Sequence, residues 1–272
     1  MARQPGYSWI IQLIGPIRRT RSLMKSNHAY RLLACAAIAA ALIPSPPVLS
    51  RAHAIAEDRV LRMADGSALR YGLQVPATLG DRPLPLIVGL HYGWGGGGSP
   101  PAYYGRDYMN LLLRPGFAAL DAIIIAPDCP GRGWTDPRSD AAVMELIERI
   151  REEFEVDPER IVVTGFSLGG MGTWSFAGSH PDLVSAAVPI AGRPTDEIVS
   201  SWGKIPVFAI HGDRDDVVPI GPTRDAIAAL SGRGVVAELT ELPGFTHFQT
   251  PSYARPLTAV VPWLERIWST GR

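Results

Sequence analysis

The chain has 272 residues, 46% of them hydrophobic, which is enough for one ordinary domain with a sizeable core. Residues 1–54 hold seven arginines or lysines and no acidic residue, so residues 55–272 carry 19 basic against 26 acidic residues, a net charge of −7. That charge argues against a nucleic-acid partner, because affinity for the phosphate backbone comes from clustered basic side chains.

Residues 1–54 have the pattern of a secretory signal peptide. A basic stretch ends at Arg31, the apolar run 32–43 follows, and prolines precede Ala52-His53-Ala54, an A-x-A cleavage pattern. The apolar run is too short to span a bilayer. We therefore predict cleavage after Ala54, a secreted or periplasmic protein, and no stable membrane insertion once the signal is removed.

The start of this segment and its export route stay open. Met24 would begin a signal of ordinary length and is the start that we expect. Arg18-Arg19 would fit a twin-arginine signal, although it lies far from the apolar run. Cys35 leaves with the signal, so the mature chain keeps Cys129 alone and no disulfide framework is predicted.

From residue 55 onward, patterns typical of strands alternate with patterns typical of helices. Arg59–Met63 and Leu69–Val75 predict an antiparallel hairpin that turns at Asp65-Gly66. Short apolar runs predict further strands at Leu86–Leu90, Ala122–Ala126, Ile161–Thr164, Ala186–Ile190, Val207–Ile210 and Val235–Leu239. Helical patterns predict helices at Met109–Leu113, Asp140–Phe154, Leu168–Gly178, Thr223–Leu230 and Leu257–Trp268. Because continuous apolar strands separated by helices imply a mostly parallel sheet covered on both faces, we predict an α/β fold in a single domain over residues 55–272.

The strongest chemical signal is the segment Gly165-Phe166-Ser167-Leu168-Gly169, which lies between a predicted strand and a predicted helix. A strand, tight turn and helix with this G-x-S-x-G spacing form a nucleophile elbow, in which small residues near the serine let the strand and helix approach. The turn would expose the Ser167 hydroxyl and direct the backbone N–H of Leu168 toward a developing oxyanion. A chance match is the alternative, and the strand-turn-helix context argues against it.

A nucleophilic serine needs a histidine base and a carboxylate that orients it, and behind such an elbow they follow in the order serine, acid, histidine. His211 precedes the acidic loop, which leaves His247, in the loop after the last predicted strand, as the candidate base. His180 ends a helix, where capping or exposure is the simpler interpretation. The residues alone leave three candidate acids, Asp213, Asp215 and Asp216. Whichever of them is the acid, the other two would be solvated or paired with Arg214.

The loop after the strand Leu86–Leu90 has the glycine-rich sequence His91-Tyr92-Gly93-Trp94-Gly95-Gly96-Gly97-Gly98. Glycines let a backbone turn its N–H groups toward a substrate oxygen, so this loop is the candidate source of a second oxyanion donor. It lacks the Gly-Lys-Ser/Thr of a phosphate loop, and Ser99-Pro100-Pro101 follows where a dinucleotide fingerprint would open a helix. A flexible surface loop is the remaining alternative.

At these residues the chain resembles bacterial esterases of the α/β-hydrolase superfamily, most closely the phospholipase/carboxylesterase and predicted-peptidase branch near feruloyl esterases and polyhydroxybutyrate depolymerases. The resemblance rests on Leu90-His91-Tyr92-Gly93 and on residues 165–174 and 211–219, and it extends over residues 84–250. It implies an α/β-hydrolase fold. Since many lipases carry a cap between the strands Ala186–Ile190 and Val207–Ile210, the short segment here implies that there is no large cap domain.

The family pattern His-Gly-x-x-Asp-x-x-Val-Pro, carried over to residues 211–219, places the acid at Asp215. The family's oxyanion loop usually reads His-Gly-x. Tyr92 stands where that glycine is expected, so the second donor is the N–H of Gly93 or that of Trp94.

The resemblance thus implies a serine esterase that acts on a small-molecule or polymeric ester without a metal or organic cofactor. A secreted peptidase or amidase with the same triad, a polyester depolymerase and a non-catalytic binding relative stay open as alternatives. The site residues implied are the triad Ser167, Asp215 and His247, with Leu168 and Gly93 as oxyanion donors.

Overall fold

The structure, a computed structural model, describes residues 55–77, 79–93 and 103–270. The predicted signal peptide, with its cleavage site and possible start, lies outside the described residues, as do Trp94 and the glycines after it. Within the described ranges, no helix combines the length and the apolar character needed to cross a membrane.

The strands of the described part are β1 (Ile55–Arg62), β2 (Ala68–Val75), β3 (Leu84–Leu90), β4 (Ile123–Pro127), β5 (Val156–Phe166), β6 (Ala186–Ile190), β7 (Val207–Gly212) and β8 (Ala237–Leu242). They form one sheet in the order β1-β2-β4-β3-β5-β6-β7-β8. β2 is antiparallel to both β1 and β4, whereas β4, β3, β5, β6, β7 and β8 run parallel. The predicted mostly parallel sheet is confirmed, and so is the hairpin, which turns at Gly66 with φ 83°.

The helices are α1 (Tyr104–Tyr108), which continues through the π-helical segment Met109–Leu113 into α2 (Arg114–Gly116), then α3 (Pro137–Glu153), α4 (Leu168–Ser179), α5 (Asp196–Ser201), α6 (Gly221–Gly232), α7 (Ala254–Leu257) and α8 (Val260–Ser269). A 3-10 turn, Thr250–Tyr253, precedes α7. Between β6 and β7, where a cap would be inserted, the chain forms only the short helix α5.

Two hydrophobic clusters lie on opposite faces of the sheet. In β3, Leu86, Val88 and Leu90 join the cluster beneath α3, α4, α5 and α6, whereas Ile87 joins the cluster beneath α1, α7 and α8. Successive side chains of a strand point to opposite faces, so a strand covered on both sides is apolar throughout. This two-sided burial explains why the central strands appear in the sequence as continuous apolar runs.

Several predicted boundaries were wrong. The last strand is Ala237–Leu242 rather than Val235–Leu239, because this edge strand alternates polar and apolar residues and its apolar run begins before the pairing does. The predicted helix Leu257–Trp268 is divided between α7 and α8. Helix α5 was not predicted, since none of its residues is buried.

Candidate active site

Ser167 occupies the sharp turn between β5 and α4, with φ 58° and ψ −114°. Such a backbone costs a non-glycine residue about 1–3 kcal/mol and persists only where its surroundings hold it. Here the Ser167 N–H donates to the carbonyl oxygen of Ile190 at 2.9 Å. A Cβ at Gly165 would overlap the backbone of Gly169, and a Cβ at Gly169 would overlap the carbonyl oxygen of Leu90. The glycines of the motif are therefore required by close backbone approach, as the predicted elbow demands.

A continuous chain of hydrogen bonds joins the three predicted triad side chains. His247 Nδ1 lies 2.6 Å from Asp215 Oδ2, and His247 Nε2 lies 2.7 Å from Ser167 Oγ. Since a carboxylate can only accept, Nδ1 carries the proton and Nε2 is free to accept from the serine hydroxyl. Asp215 and His247 are buried, whereas Ser167 is partly exposed. The arrangement has the geometry of a general base beside a hydroxyl nucleophile.

The carboxylate of Asp215 is held by its own loop. Its Oδ1 accepts the backbone N–H groups of Val217 at 3.0 Å and Val218 at 2.7 Å, which leaves Oδ2 for His247. The side chain is fully buried, whereas Asp213 and Asp216 are exposed. These contacts separate Asp215 physically from the two neighbouring aspartates.

Other polar groups around the acid connect loops to one another. Asp213 Oδ1 accepts the N–H of Gly244 at 2.6 Å, a bond to the loop of His247 rather than the ion pair with Arg214 that the sequence allowed. The buried His211 donates from Nε2 to the carbonyl oxygen of Val218 at 2.8 Å, and its Nδ1 lies 3.2 Å from Thr223 Oγ1. Burial lowers the pKa of His211 and so favours the neutral form of its ring.

The two residues predicted to supply the oxyanion donors, Leu168 and Gly93, are close to each other. Leu168 is the first residue of α4, where backbone N–H groups have no acceptor within the helix. A Cβ at Gly93 would lie 3.4 Å from Leu168 Cδ2, so Gly93 lies against the Leu168 side chain. The alternative donor, Trp94, lies outside the described residues.

The loop that carries Gly93 is anchored by residues to which the sequence assigned no role. His91 Nδ1 donates to the carbonyl oxygen of Tyr92 at 2.6 Å, and His91 Nε2 accepts the N–H of Cys129 at 3.0 Å. Burial lowers the pKa of His91, which favours the neutral ring that can accept this bond. Trp134 Nε1 donates to the His91 carbonyl oxygen at 2.7 Å, and the Tyr92 hydroxyl donates to Asp107. Tyr92 stands where the family has glycine, but this departure did not indicate which residues hold the loop.

His180 lies outside this network and takes part in a contact between helices. It caps the end of α4, and its Nε2 lies 2.9 Å from Asp140 Oδ1 of α3. Of the two simpler interpretations, capping and exposure, the C-cap position is the one that the structure shows. Among the residues that the structure describes, no group of three or more histidine, cysteine or acidic side chains is placed to hold a metal ion.

Comparison with known proteins finds several relatives of this chain. The model of the dienelactone hydrolase family matches residues 124–259, half of the chain. Protein usf of Aquifex pyrophilus is 30% identical over 176 residues, which cover 60% of this chain and 75% of that protein. "Probable feruloyl esterase C" of Aspergillus niger is 28% identical over 152 residues, which cover 55% of this chain and 56% of that protein.

A solved structure of a thermostable esterase matches with a TM-score of 0.65 and 27% identity over 78% of this chain and 62% of that chain. The chain thus spans about half to three quarters of the length of these relatives. The predicted α/β-hydrolase fold, the resemblance to feruloyl esterases and the prediction of a carboxylic ester hydrolase are confirmed. The chain therefore belongs to the dienelactone hydrolase family, within the α/β-hydrolase superfamily.

Proposed function

We propose that this protein is a secreted serine esterase that cleaves carboxylic esters through an acyl-enzyme intermediate on Ser167. The observation that carries the proposal is the hydrogen-bonded chain from Asp215 through His247 to Ser167. A histidine that accepts from a serine hydroxyl and is oriented by a buried carboxylate is the arrangement that activates serine as a nucleophile.

In the first step, Ser167 Oγ attacks the ester carbonyl carbon while His247 Nε2 takes the hydroxyl proton. The carbonyl oxygen becomes an oxyanion, which the N–H groups of Leu168 and Gly93 stabilise. Asp215 stabilises the imidazolium that forms. The intermediate then collapses, the C–O bond to the alcohol breaks, and His247 returns the proton to the leaving alcohol oxygen.

In the second step, water attacks the acyl carbon of the ester on Ser167. His247 takes a proton from this water, and collapse of the new tetrahedral intermediate releases the carboxylic acid. His247 then returns the proton to Ser167 Oγ, which restores the starting state. Every proton in the cycle passes through Nε2, so the proposed chemistry needs no group beyond the residues named.

The test of this proposal compares an ester with an amide that has the same acyl group. The purified protein should hydrolyse 4-nitrophenyl acetate and alkyl acetates, and should act on 4-nitroacetanilide far more slowly, as measured by kcat/KM. A higher kcat/KM for the anilide would contradict the esterase proposal and identify the protein as a peptidase or amidase. If neither the esters nor the anilide were hydrolysed, the proposal of an enzyme would be wrong, and a non-catalytic binding protein would be the remaining interpretation.

Export is proposed from the pattern of residues 1–54. Sequencing the amino terminus of the exported protein should give Ile55 as the first residue, because signal peptidase cleaves after an A-x-A pattern. A matched variant, Ile38→Arg, interrupts the apolar run and should leave the chain unprocessed in the cytoplasm. A native protein that stays in the cytoplasm and retains residues 32–54 would contradict the proposal.

A further inference from the structure

Two large apolar side chains are exposed on the loops that carry the acid and the base. Phe248 directly follows His247 and is 68% exposed, and Val217 follows Asp215 by two positions and is 50% exposed. Neither side chain is a member of the two buried hydrophobic clusters of the fold. Among the described residues, the other large hydrophobic side chains with this exposure are Val60, Leu79 and Val236.

The loop around Phe248 is held firmly in place. The N–H of Thr246 donates to Gln249 Oε1 at 2.7 Å, and the carbonyl oxygen of Phe245 accepts the N–H of Arg214 at 3.1 Å. Phe248 therefore belongs to a loop whose residues on both sides of it are hydrogen-bonded.

The Phe248 ring lies beside His247, the residue that protonates the leaving alcohol in the proposed mechanism. The ring stands edge-on to the His247 imidazole, with centroids 5.7 Å apart and planes at 86°. In the proposed mechanism the leaving alcohol takes its proton from Nε2 of this imidazole, whereas the carbonyl oxygen faces Leu168. The alcohol part of the ester consequently passes on the His247 side, where Phe248 is exposed.

The second exposed side chain, Val217, lies on the loop that carries the acid. Its backbone N–H donates to Asp215 Oδ1 at 3.0 Å, and Asp215 bonds to His247, so Val217 belongs to the same pair of loops. Contact of these side chains with a substrate removes apolar area from water, which favours binding.

We propose that Phe248 and Val217 form an apolar rim that binds the alcohol part of the substrate, so that the enzyme prefers esters of apolar alcohols. This inference rests on the proposed function. The measurement is the ratio of kcat/KM for 2-phenylethyl acetate to kcat/KM for ethyl acetate, two esters with the same acyl group and similar primary leaving alcohols. The wild-type ratio should favour 2-phenylethyl acetate by about tenfold or more.

Phe248→Ala should lower this ratio about tenfold, Phe248→Leu should lower it less, and Val217→Thr should lower it about threefold. Val60→Ala, which removes an exposed valine on the distant strand β1, should leave it unchanged. A second series varies the acyl group, with ethyl 3-phenylpropanoate against ethyl acetate, and its ratio should not respond to Phe248→Ala.

An unchanged alcohol ratio in Phe248→Ala, with both acetates still hydrolysed, overturns the rim and leaves the esterase proposal intact. A change confined to the acyl series overturns it as well. If Phe248→Ala does not fold, Phe248→Leu and Val217→Thr decide by the same ratio. Failure of the wild-type protein to hydrolyse any ester overturns the proposed function and, with it, this inference.

Discussion

Ser167→Ala is expected to lower kcat for ester hydrolysis by about five or more orders of magnitude. The serine hydroxyl forms the covalent bond to the acyl group, and removing the nucleophile from a serine protease triad costs about six orders of magnitude in turnover. Residual hydrolysis should reflect only substrate binding and the oxyanion donors, which act without the nucleophile.

The control for this variant must show that the fold survives. Alanine keeps the Cβ of Ser167, and the bond from its N–H to Ile190 involves only the backbone, so the unfolding midpoint should shift little. Ser200→Ala, at an exposed serine of α5, should keep the activity of the wild-type protein. The assignment fails if Ser167→Ala retains a tenth or more of the wild-type kcat in a folded protein.

Asp215→Asn is expected to lower turnover by about two to four orders of magnitude with little change in folding. The amide oxygen of asparagine can still accept from the N–H groups of Val217 and Val218. Its NH₂ group would face His247 Nδ1 in place of an oxygen, so the ring would carry its proton on Nε2. That tautomer cannot accept the proton of Ser167. The prediction is tested by measuring kcat for ester hydrolysis as a function of pH in Asp215→Asn and in the wild-type protein.

The neighbouring aspartates are matched controls. Asp216→Asn removes an exposed charge, and such charges contribute little, so kcat should fall less than about tenfold. Asp213→Asn should also cost less than about tenfold, because its amide oxygen can still accept the N–H of Gly244. If kcat fell further in either control variant than in Asp215→Asn, the aspartate changed in that variant would be the acid of the triad.

The elbow could be predicted from sequence because its determinants are local. Glycines at positions 165 and 169 are needed because the backbone of the strand and that of the helix come too close there for a Cβ. His247 could be selected from the order of the residues along the chain. Asp215 was different, since the residues left three aspartates open and only the resemblance chose among them. The physical basis of that choice is burial together with N–H donors from Val217 and Val218.

The anchoring of the oxyanion loop could not be predicted, because it depends on contacts between segments that are distant in the chain. The bonds from His91 to Cys129 and from Trp134 to His91 join residues 38 and 43 positions apart. Nothing in the local pattern of residues 91–93 specifies these partners. The limits of β8 were missed for a related reason, since an edge strand is defined by its pairing with β7 more than by an apolar run.

The measurement that tests the central claim most directly is the identification of the covalently modified residue. The protein is treated with a fluorophosphonate, which traps an activated serine, and digested peptides are analysed by mass spectrometry. We predict one phosphonyl adduct per chain, located on Ser167, with loss of esterase activity in proportion to labelling. An adduct on another residue, or continued ester hydrolysis by fully labelled protein, would contradict the account.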